Sequence, residues 1–444
     1  MKMKCAFGHL PTIVLACLAI LAVPRAHAAV LYSITDLGTL AWDGTYGSAG
    51  TDVNDSGQVT GQSRTSSGSW DAVFWDTEAS LTDMGTLPGG GFSYGYALNN
   101  LGQVTGMSHA NNGARFAYLW DSSSGFTNLG ALGGTYSVGE GINDNGRVTG
   151  YSAKGSAAHA FVWDSSSGMT DIGASEAADS YALDINNNDT VVGKFNDING
   201  QQDIFIWDES AGFSSIGVSS TSVGALDINN NNQVAGSYDA ADGRAHAFVW
   251  DETTGLTDLG TLGGSDGRAL GINDSSQVVG YSLTSNGPYD YQPFLWDAVD
   301  GMINLNELVA DATGWSSLTV ASAISNSGFI TGYGVTASGE SHAFLLTPTE
   351  TAWNGNTSSS GGGSTEGTGG GGSTGESPGQ VPAPPTLILI GVSSFLLWRP
   401  LLRCTGVHHP KKVALRFRWS RSARPAASAP DDHHPCVNED RRAP

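Results

Sequence analysis

The stretch SVGEGINDNGRVTGYSAKGSAAHAFVWDSSSGMTDIG, residues 137–173, contains the plan of most of the chain. It holds four short runs with the two-residue alternation of half-buried strands: Ser137–Asn143, Arg147–Ser152, His159–Trp163 and Met169–Ile172. An Asn-Asp-Asn-Gly turn joins the first two, and its last place demands a positive φ. Asp-Ser-Ser-Ser-Gly joins the third and fourth, with an Asp that can bond its own backbone as turn-initiating Asp does. Strands joined in order by tight turns form an antiparallel meander.

Working outward, the same unit recurs along the chain. Trp-Asp stands at Trp75, Trp120, Trp163, Trp207, Trp250 and Trp296, in steps of 45, 43, 44, 43 and 46 residues. A Gly closes each second strand, at 61, 106, 150, 193, 236, 280 and 332. The last place of the first turn is Gly57, Gly102, Gly146, Asp189, Asn232, Ser276 and Gly328. Six of these seven are residues that tolerate the left-handed region. Four strands in a repeat of this length make a propeller blade, and seven copies predict an all-β, seven-bladed β-propeller. Counted this way, Leu318–Ser325, Phe329–Tyr333 and His342–Leu346 lack a fourth strand, while Tyr32–Leu37 carries the fourth-strand pattern and has no partners. The N-terminal strand is therefore expected to complete the last blade, which also removes exposed sheet edges. An open solenoid of the same repeat is the alternative.

Charged residues make up only 14% of the 444, while Gly supplies 61, a balance that suits strands and turns rather than helical bundles. Residues 29–380 carry 7 basic and 38 acidic side chains, a net of −31. Such a body repels phosphate backbones, so nucleic acid is not an expected partner. All four Cys (5, 17, 404 and 436) lie outside it, which excludes a disulfide, a thiolate nucleophile or a Cys-ligated zinc there.

The two ends read as addresses. Lys2 and Lys4, an apolar run from Ile13 to Val23, and Ala26-His27-Ala28 form a secretory signal over residues 1–28, with cleavage expected between Ala28 and Ala29. Residues 29–350 form the body, and 351–380 a Gly/Ser-rich tether. Then come Val381-Pro382-Ala383-Pro384, an apolar stretch Leu387–Trp398, and Arg399, a segment spanning 381–403. At twelve residues the apolar stretch is a short hydrophobic anchor. The basic tail, 404–444, has no hydrophobic periodicity and reads as disordered. The order tether, Val-Pro-x-Pro, apolar helix, Arg resembles the PEP-CTERM sorting tails of Gram-negative bacteria, although Ala383 stands where that family usually has Glu. The resemblance implies an exosortase-like processing enzyme as partner and transient membrane contact through this segment. It also implies a place on the outer surface or in the extracellular matrix, alongside exopolysaccharide. The body itself resembles the HAF repeats of exported bacterial proteins, through His159-Ala160-Phe161, His246-Ala247-Phe248 and His342-Ala343-Phe344. That family supplies a structural pattern and no catalytic residues.

Features present in every unit are expected to be structural: the Trp residues pack between sheets, and the His of His-Ala-Phe serves as a strand-start hydrogen-bonder. The turns at 184–189 and 227–232 place oxygens at alternate positions, as calcium loops do, but turn chemistry alone asks for the same Asn and Asp. No cofactor is expected, with calcium kept as the exception. Gly91-Phe92-Ser93-Tyr94-Gly95 matches a nucleophile string outside a strand-to-helix elbow. Function is sought where units differ, in the loops between second and third strands: 64–70, 109–115, 196–203, 239–244 and 283–291. Tyr289 and Tyr291 in the last of these, with Trp315 after a lengthened connection, are the candidate ligand-binding residues. The expected role is a non-enzymatic surface or matrix protein binding polysaccharide or another protein. A propeller glycan hydrolase or lyase is the main alternative, and it needs acids from different blades converging at the ring's centre. A structural surface-layer component is the third.

Overall fold

The computed structural model describes residues 31–349, apart from 41–46, 174–178, 197–199, 219, 221 and 288. The signal cleavage site, the tether and the sorting segment lie outside these residues. Within them the chain forms seven four-stranded antiparallel sheets. Six are continuous, over 48–85, 93–130, 137–171, 180–215, 223–258 and 263–304, and are numbered blades 1 to 6. Blade 7 is built from both ends of the body. Trp315–Ile324, Ile330–Thr336 and Ser341–Pro348 supply three strands, and Tyr32–Asp36 pairs antiparallel with the last of them. First strands pack side by side around the ring, and that of blade 1 meets blade 7, so they line the axis. The protein is a seven-bladed propeller closed by its N-terminal strand.

The recurring residues acquire separate physical reasons. All seven last-turn residues take a positive φ, including Ser276 at 60°, the one that the turn preference did not cover. The Gly in each second strand is needed for a different reason. Every first strand is bulged where it faces that Gly, as between Gly139 and Gly141. A Cβ at Gly61, Gly106, Gly150, Gly193, Gly280 or Gly332 would fall under 3.0 Å from the first-strand carbonyl opposite.

The core also divides labour differently from the expectation. The fully buried aromatic of the third strand is the Phe of His-Ala-Phe, at Phe161, Phe248 and Phe344, with Tyr118, Phe205 and Phe294 in the variant copies. Of the Trp residues, Trp75 is fully buried and donates its Nε1–H to the Leu37 carbonyl at 2.7 Å. Trp163, Trp207, Trp250 and Trp296 are only half-buried, at the margins of their clusters. The long connection before blade 7 is anchored by two buried leucines, while residues 310–314 stay exposed. Its Leu305 and Leu308 are buried with Tyr32 in one cluster, and Tyr32 bonds Leu308 and Ala310 through its backbone.

His159, His246 and His342 each bond through Nδ1 to the fourth-strand Asp of their own blade, Asp171, Asp258 and Asp36. The last pair crosses the ring closure. The hydrogen bond from its Asp raises the pKa of His246 and of His342. Such a pair therefore adds stability below the ordinary His pKa and loses it as pH rises through the raised value. In blade 4 the partners are exchanged, with Ser215 Oγ donating to Asp203 at 2.6 Å. Blade 1 breaks the pattern: Asp71 replaces the His and faces Asp83, and its Oδ1 is buried without a hydrogen bond. Burial and then the Asp83 charge raise the Asp71 pKa, so its ionisation costs stability above the usual carboxylate range and nothing well below it. Asp71→Asn should stabilise the propeller at pH 7 by at most about 1 kcal/mol, since water partly screens the site. Thermal melts at pH 7 and pH 3 check this: the gain should be confined to the higher pH.

Candidate functional site

The first strands run between the two mouths of a central channel. At one mouth lie the turns from first to second strand, and a cavity of about 150 Å³ that they line. Asn54, Asn99, Asn143, Asn186, Asn229 and Asn273 each donate from Nδ2 to the carbonyl of the equivalent residue in the next blade, at 2.9–3.1 Å. A second belt runs one residue further along, from the Asp55 N–H to Asn100 Oδ1 and on through Asp144, Asn187, Asn230, Asp274 and Asn326. It closes where the Ser327 N–H donates to Asp55 Oδ1. Four of the six Asn side chains also donate to a Gln four residues on. Blades 3 and 4 have Arg147 and Thr190 there, and Asn143 and Asn186 reach instead to Asp189 and Asn232 of the next blade, both at 2.7 Å. The Asp and Asn of these turns thus hold blades together.

Inside this mouth three acids converge. Asp52 of blade 1 stands across the axis from Asp184 and Asp227 of the adjacent blades 4 and 5. Each carboxylate accepts a backbone N–H from the next blade, from Leu98, Ile228 and Ile272, at 2.7–3.0 Å. Burial raises the Asp52 pKa to about 7, against the pull of the Leu98 and Val53 N–H groups. Burial, then the neighbouring Asp184 carboxylate, raise the Asp227 pKa well above the usual carboxylate range, because a desolvated acid beside a like charge resists ionising. Among the described residues no group of three or more acids, His or Cys stands close enough to hold a metal ion. Several oxygens of the calcium-like turns accept bonds from the neighbouring blade or from their own turn.

The other mouth is different in kind. The first strands line the axis, and some side chains on and beside them are only partly buried toward this end. In blades 2 to 4 these are mostly aromatic. Phe92, Tyr94 and Tyr96 follow one another, with ring centroids 5.5 and 6.1 Å apart, and the two Tyr rings are parallel to within 4°. Tyr136 and Tyr151 bring their hydroxyls to 3.2 Å, and Tyr151 meets Tyr181 edge-on at 4.9 Å. Burial first, then the charge of Glu140 and the neighbouring Tyr94 and Tyr136, raise the Tyr96 pKa well above its ordinary value, which links the two groups of rings. Glu140, on the strand between them, has its pKa raised to about 7 by burial, partly offset by Lys194. Lys194 donates to the Val223 carbonyl at 3.0 Å and lies over the Tyr181 ring.

The first-strand rings belong to one side of the ring, whereas the second-strand place of Tyr151 is Tyr again in blades 6 and 7, at Tyr281 and Tyr333. The places of Tyr94 and Tyr96 are taken by Ala49 and Thr51 in blade 1, Arg268 and Leu270 in blade 6, and Val320 and Ser322 in blade 7. One of the variable loops joins the aromatic wall: Arg115 bonds His109, and both pack on Phe92. The residues singled out from sequence are elsewhere. Tyr289 is 86% exposed and Tyr291 packs its edge on Tyr281, while Trp315 lies edge-on to Phe344 beside the core of blade 7. Ser93, in the nucleophile-like string, accepts the Ala72 N–H and donates to the Gly85 carbonyl. Ser48 and Ser137 make the equivalent pair of bonds, so this is blade architecture.

No protein-family model and no curated protein matches the chain. Among solved structures it resembles the BP39L lectin from Burkholderia pseudomallei, at 9% identity over 72% of this chain and 98% of that one, with a TM-score of 0.42. TolB from Acinetobacter baumannii is similar at 12% identity over 66% of this chain, with a TM-score of 0.40. The chain spans 64% of the length of that TolB. The SapL1 lectin in complex with alpha methyl fucoside aligns with 58% of this chain and 94% of its own, at 17% identity and a TM-score of 0.36. These likenesses concern the fold. Among the described residues no helix is long and apolar enough to cross a membrane.

Proposed function

We propose that this protein is an exported, non-catalytic component of the cell surface or extracellular matrix that binds polysaccharide at the aromatic mouth of its propeller. One observation carries the reading: the rings of Phe92, Tyr94, Tyr96, Tyr136, Tyr151 and Tyr181 gather on blades 2 to 4. Tyr151 shares its place with Tyr281 and Tyr333, whereas Tyr94, Tyr96 and Tyr181 have no aromatic counterpart in blades 1, 6 and 7. Flat rings with surface open to a channel suit the apolar faces of sugars, with hydroxyls at the ring edges for hydrogen bonds. Support for export comes from the signal-like residues 1–28. The PEP-CTERM-like segment 381–403 supports handling by an exosortase-like enzyme, with transient membrane contact before processing, in a Gram-negative bacterium. The test is binding of the full secreted chain to the exopolysaccharide of its own cells. Tyr94→Ala and Tyr181→Ala should each weaken binding about tenfold, and Tyr289→Ala and Tyr291→Ala should leave it unchanged.

A second reading, a glycan hydrolase or lyase, draws on the convergence of Asp52, Asp184 and Asp227. The raised pKa values of Asp52 and Asp227 are what a general acid requires. The inter-blade N–H bonds that each carboxylate accepts give the same acids a structural task. Turnover of the exopolysaccharide that disappears in Asp227→Asn would establish the enzyme; binding without turnover supports the scaffold.

A further inference from the structure

We infer that the polysaccharide bound at the aromatic mouth bears sugar carboxylates, and that Arg268 and Lys194 hold one of them beside the Val223–Gly224 peptide. The inference rests on the polysaccharide reading above and narrows the ligand. Register identifies the place. The first-strand position of Tyr94 and its second-strand partner hold Tyr181 with Lys194 in blade 4, Gly224 with Ser237 in blade 5 and Arg268 with Tyr281 in blade 6. Around the whole ring these positions hold no acid, and Lys194 and Arg268 are their only bases. They stand on either side of the smallest pair, and both reach toward it. Lys194 Nζ donates to the Val223 carbonyl at 3.0 Å. A Cβ on Gly224 would lie 3.2 Å from Arg268 Nη1 and 2.9 Å from Ser237 Oγ, so the bare glycine lets the guanidinium come close to the strand. Two cations from opposite neighbours thus meet one peptide unit of blade 5.

Their donors are not used up. Of the other Lys and Arg in residues 29–380, Arg147, Lys154 and Arg244 pair with Asp189, Asp171 and Asp266, while Arg64 and Arg115 bond Gly68 and His109. Lys194 has committed one of its three N–H donors. Arg268 makes neither a hydrogen bond nor an ion pair among the described residues, and it keeps some exposed surface. Two acids lie near without taking the ligand's place. Asp266, two residues before Arg268, is bonded by Arg244 and by the Ala245 N–H. The Glu140 charge acts on Lys194 without an ion pair, which leaves Arg268 the stronger attraction for an anion. A planar carboxylate matches the guanidinium fork, and its single charge suffers less from the −31 body than a phosphate ester would. Lys194 Nζ also lies 5.9 Å from the Tyr181 ring centroid, so the cation pair adjoins the aromatic wall.

The experiment is calorimetric titration of the full secreted chain with its own cells' exopolysaccharide, native and after chemical reduction of the sugar carboxylates to alcohols. Reduction should weaken binding about tenfold. Arg268→Gln should weaken binding of the native polymer by a similar factor and leave the affinity for the reduced polymer unchanged. An unchanged melting temperature will show that the variant is folded. Binding that is indifferent to reduction overturns the inference. So does a loss on reduction that persists in Arg268→Gln, since the carboxylate would then be read elsewhere. A loss in Arg268→Gln that reduction does not reproduce overturns it too, because the ligand group would not be a carboxylate. In each of these cases a tenfold loss in Tyr94→Ala still supports the polysaccharide reading. If the native polymer does not bind at all, that reading fails as well.

Discussion

Gly150→Ala should destabilise the propeller by at least about 3 kcal/mol, the cost of a side chain that cannot be accommodated without moving backbone. Its Cβ would fall inside the Val138 carbonyl and against Gly139 of the neighbouring first strand. Neither atom belongs to a side chain that could rotate away. The bulge in that strand brings its carbonyl over the Gly, so the bulge and the Gly require each other. Gly91→Ala is the matched control. It has ordinary φ and nothing within 4 Å of an added Cβ, and should change the melting temperature little. Denaturant unfolding of both variants separates a close-approach glycine from one that merely sits in a loop.

Tyr32→Ala is expected to cost ~3–5 kcal/mol, as for other large buried aromatics. Tyr32 is 1% exposed, and its ring lies with Leu305, Leu308 and Leu346. Its location makes the loss directional. The strand Tyr32–Asp36 closes the ring by pairing with Ser341–Pro348, so weakening it exposes the edge of that strand. Hydrogen exchange should therefore accelerate first in blade 7, while blades 3 and 4 keep their protection until global unfolding. Tyr32→Phe, which keeps the ring, should lose far less.

The fold was legible in the sequence because its determinants repeat. Each turn glycine, each Trp-Asp pair and each fourth-strand pattern is confirmed by its copies, and the spare strand Tyr32–Leu37 could be assigned by counting alone. The reasons behind the repeats were less visible. The second-strand Gly depends on a bulge in the paired strand, and the Asn belts depend on bonds between residues 43 or 44 apart. The His pairing depends on a neighbouring strand. The aromatic wall escaped attention because variation was sought in loops. Tyr94, Tyr96, Glu140 and Tyr181 vary within strands, at two positions that open onto the axis only once the ring has closed. Setting the seven first strands in register shows Tyr in blades 2 and 4 and Glu140 in blade 3, and that signal was available. The convergence of Asp52 with Asp184 and Asp227 was not, since it depends on which blades face one another across a seven-membered ring. Tyr289, Tyr291 and Trp315 drew notice as aromatics near loops, but the structure gives two of them packing partners and sets all three apart from the wall.

The central claim is that the aromatic mouth is where this propeller meets polysaccharide. The most direct measurement is the affinity of the full secreted chain for its own cells' exopolysaccharide, compared among the native protein, Tyr94→Ala and Tyr289→Ala. The account predicts measurable binding that falls about tenfold in Tyr94→Ala and is unchanged in Tyr289→Ala. Binding that survives Tyr94→Ala and is lost in Tyr289→Ala would contradict it, and would move the site to the outer loop of blade 6.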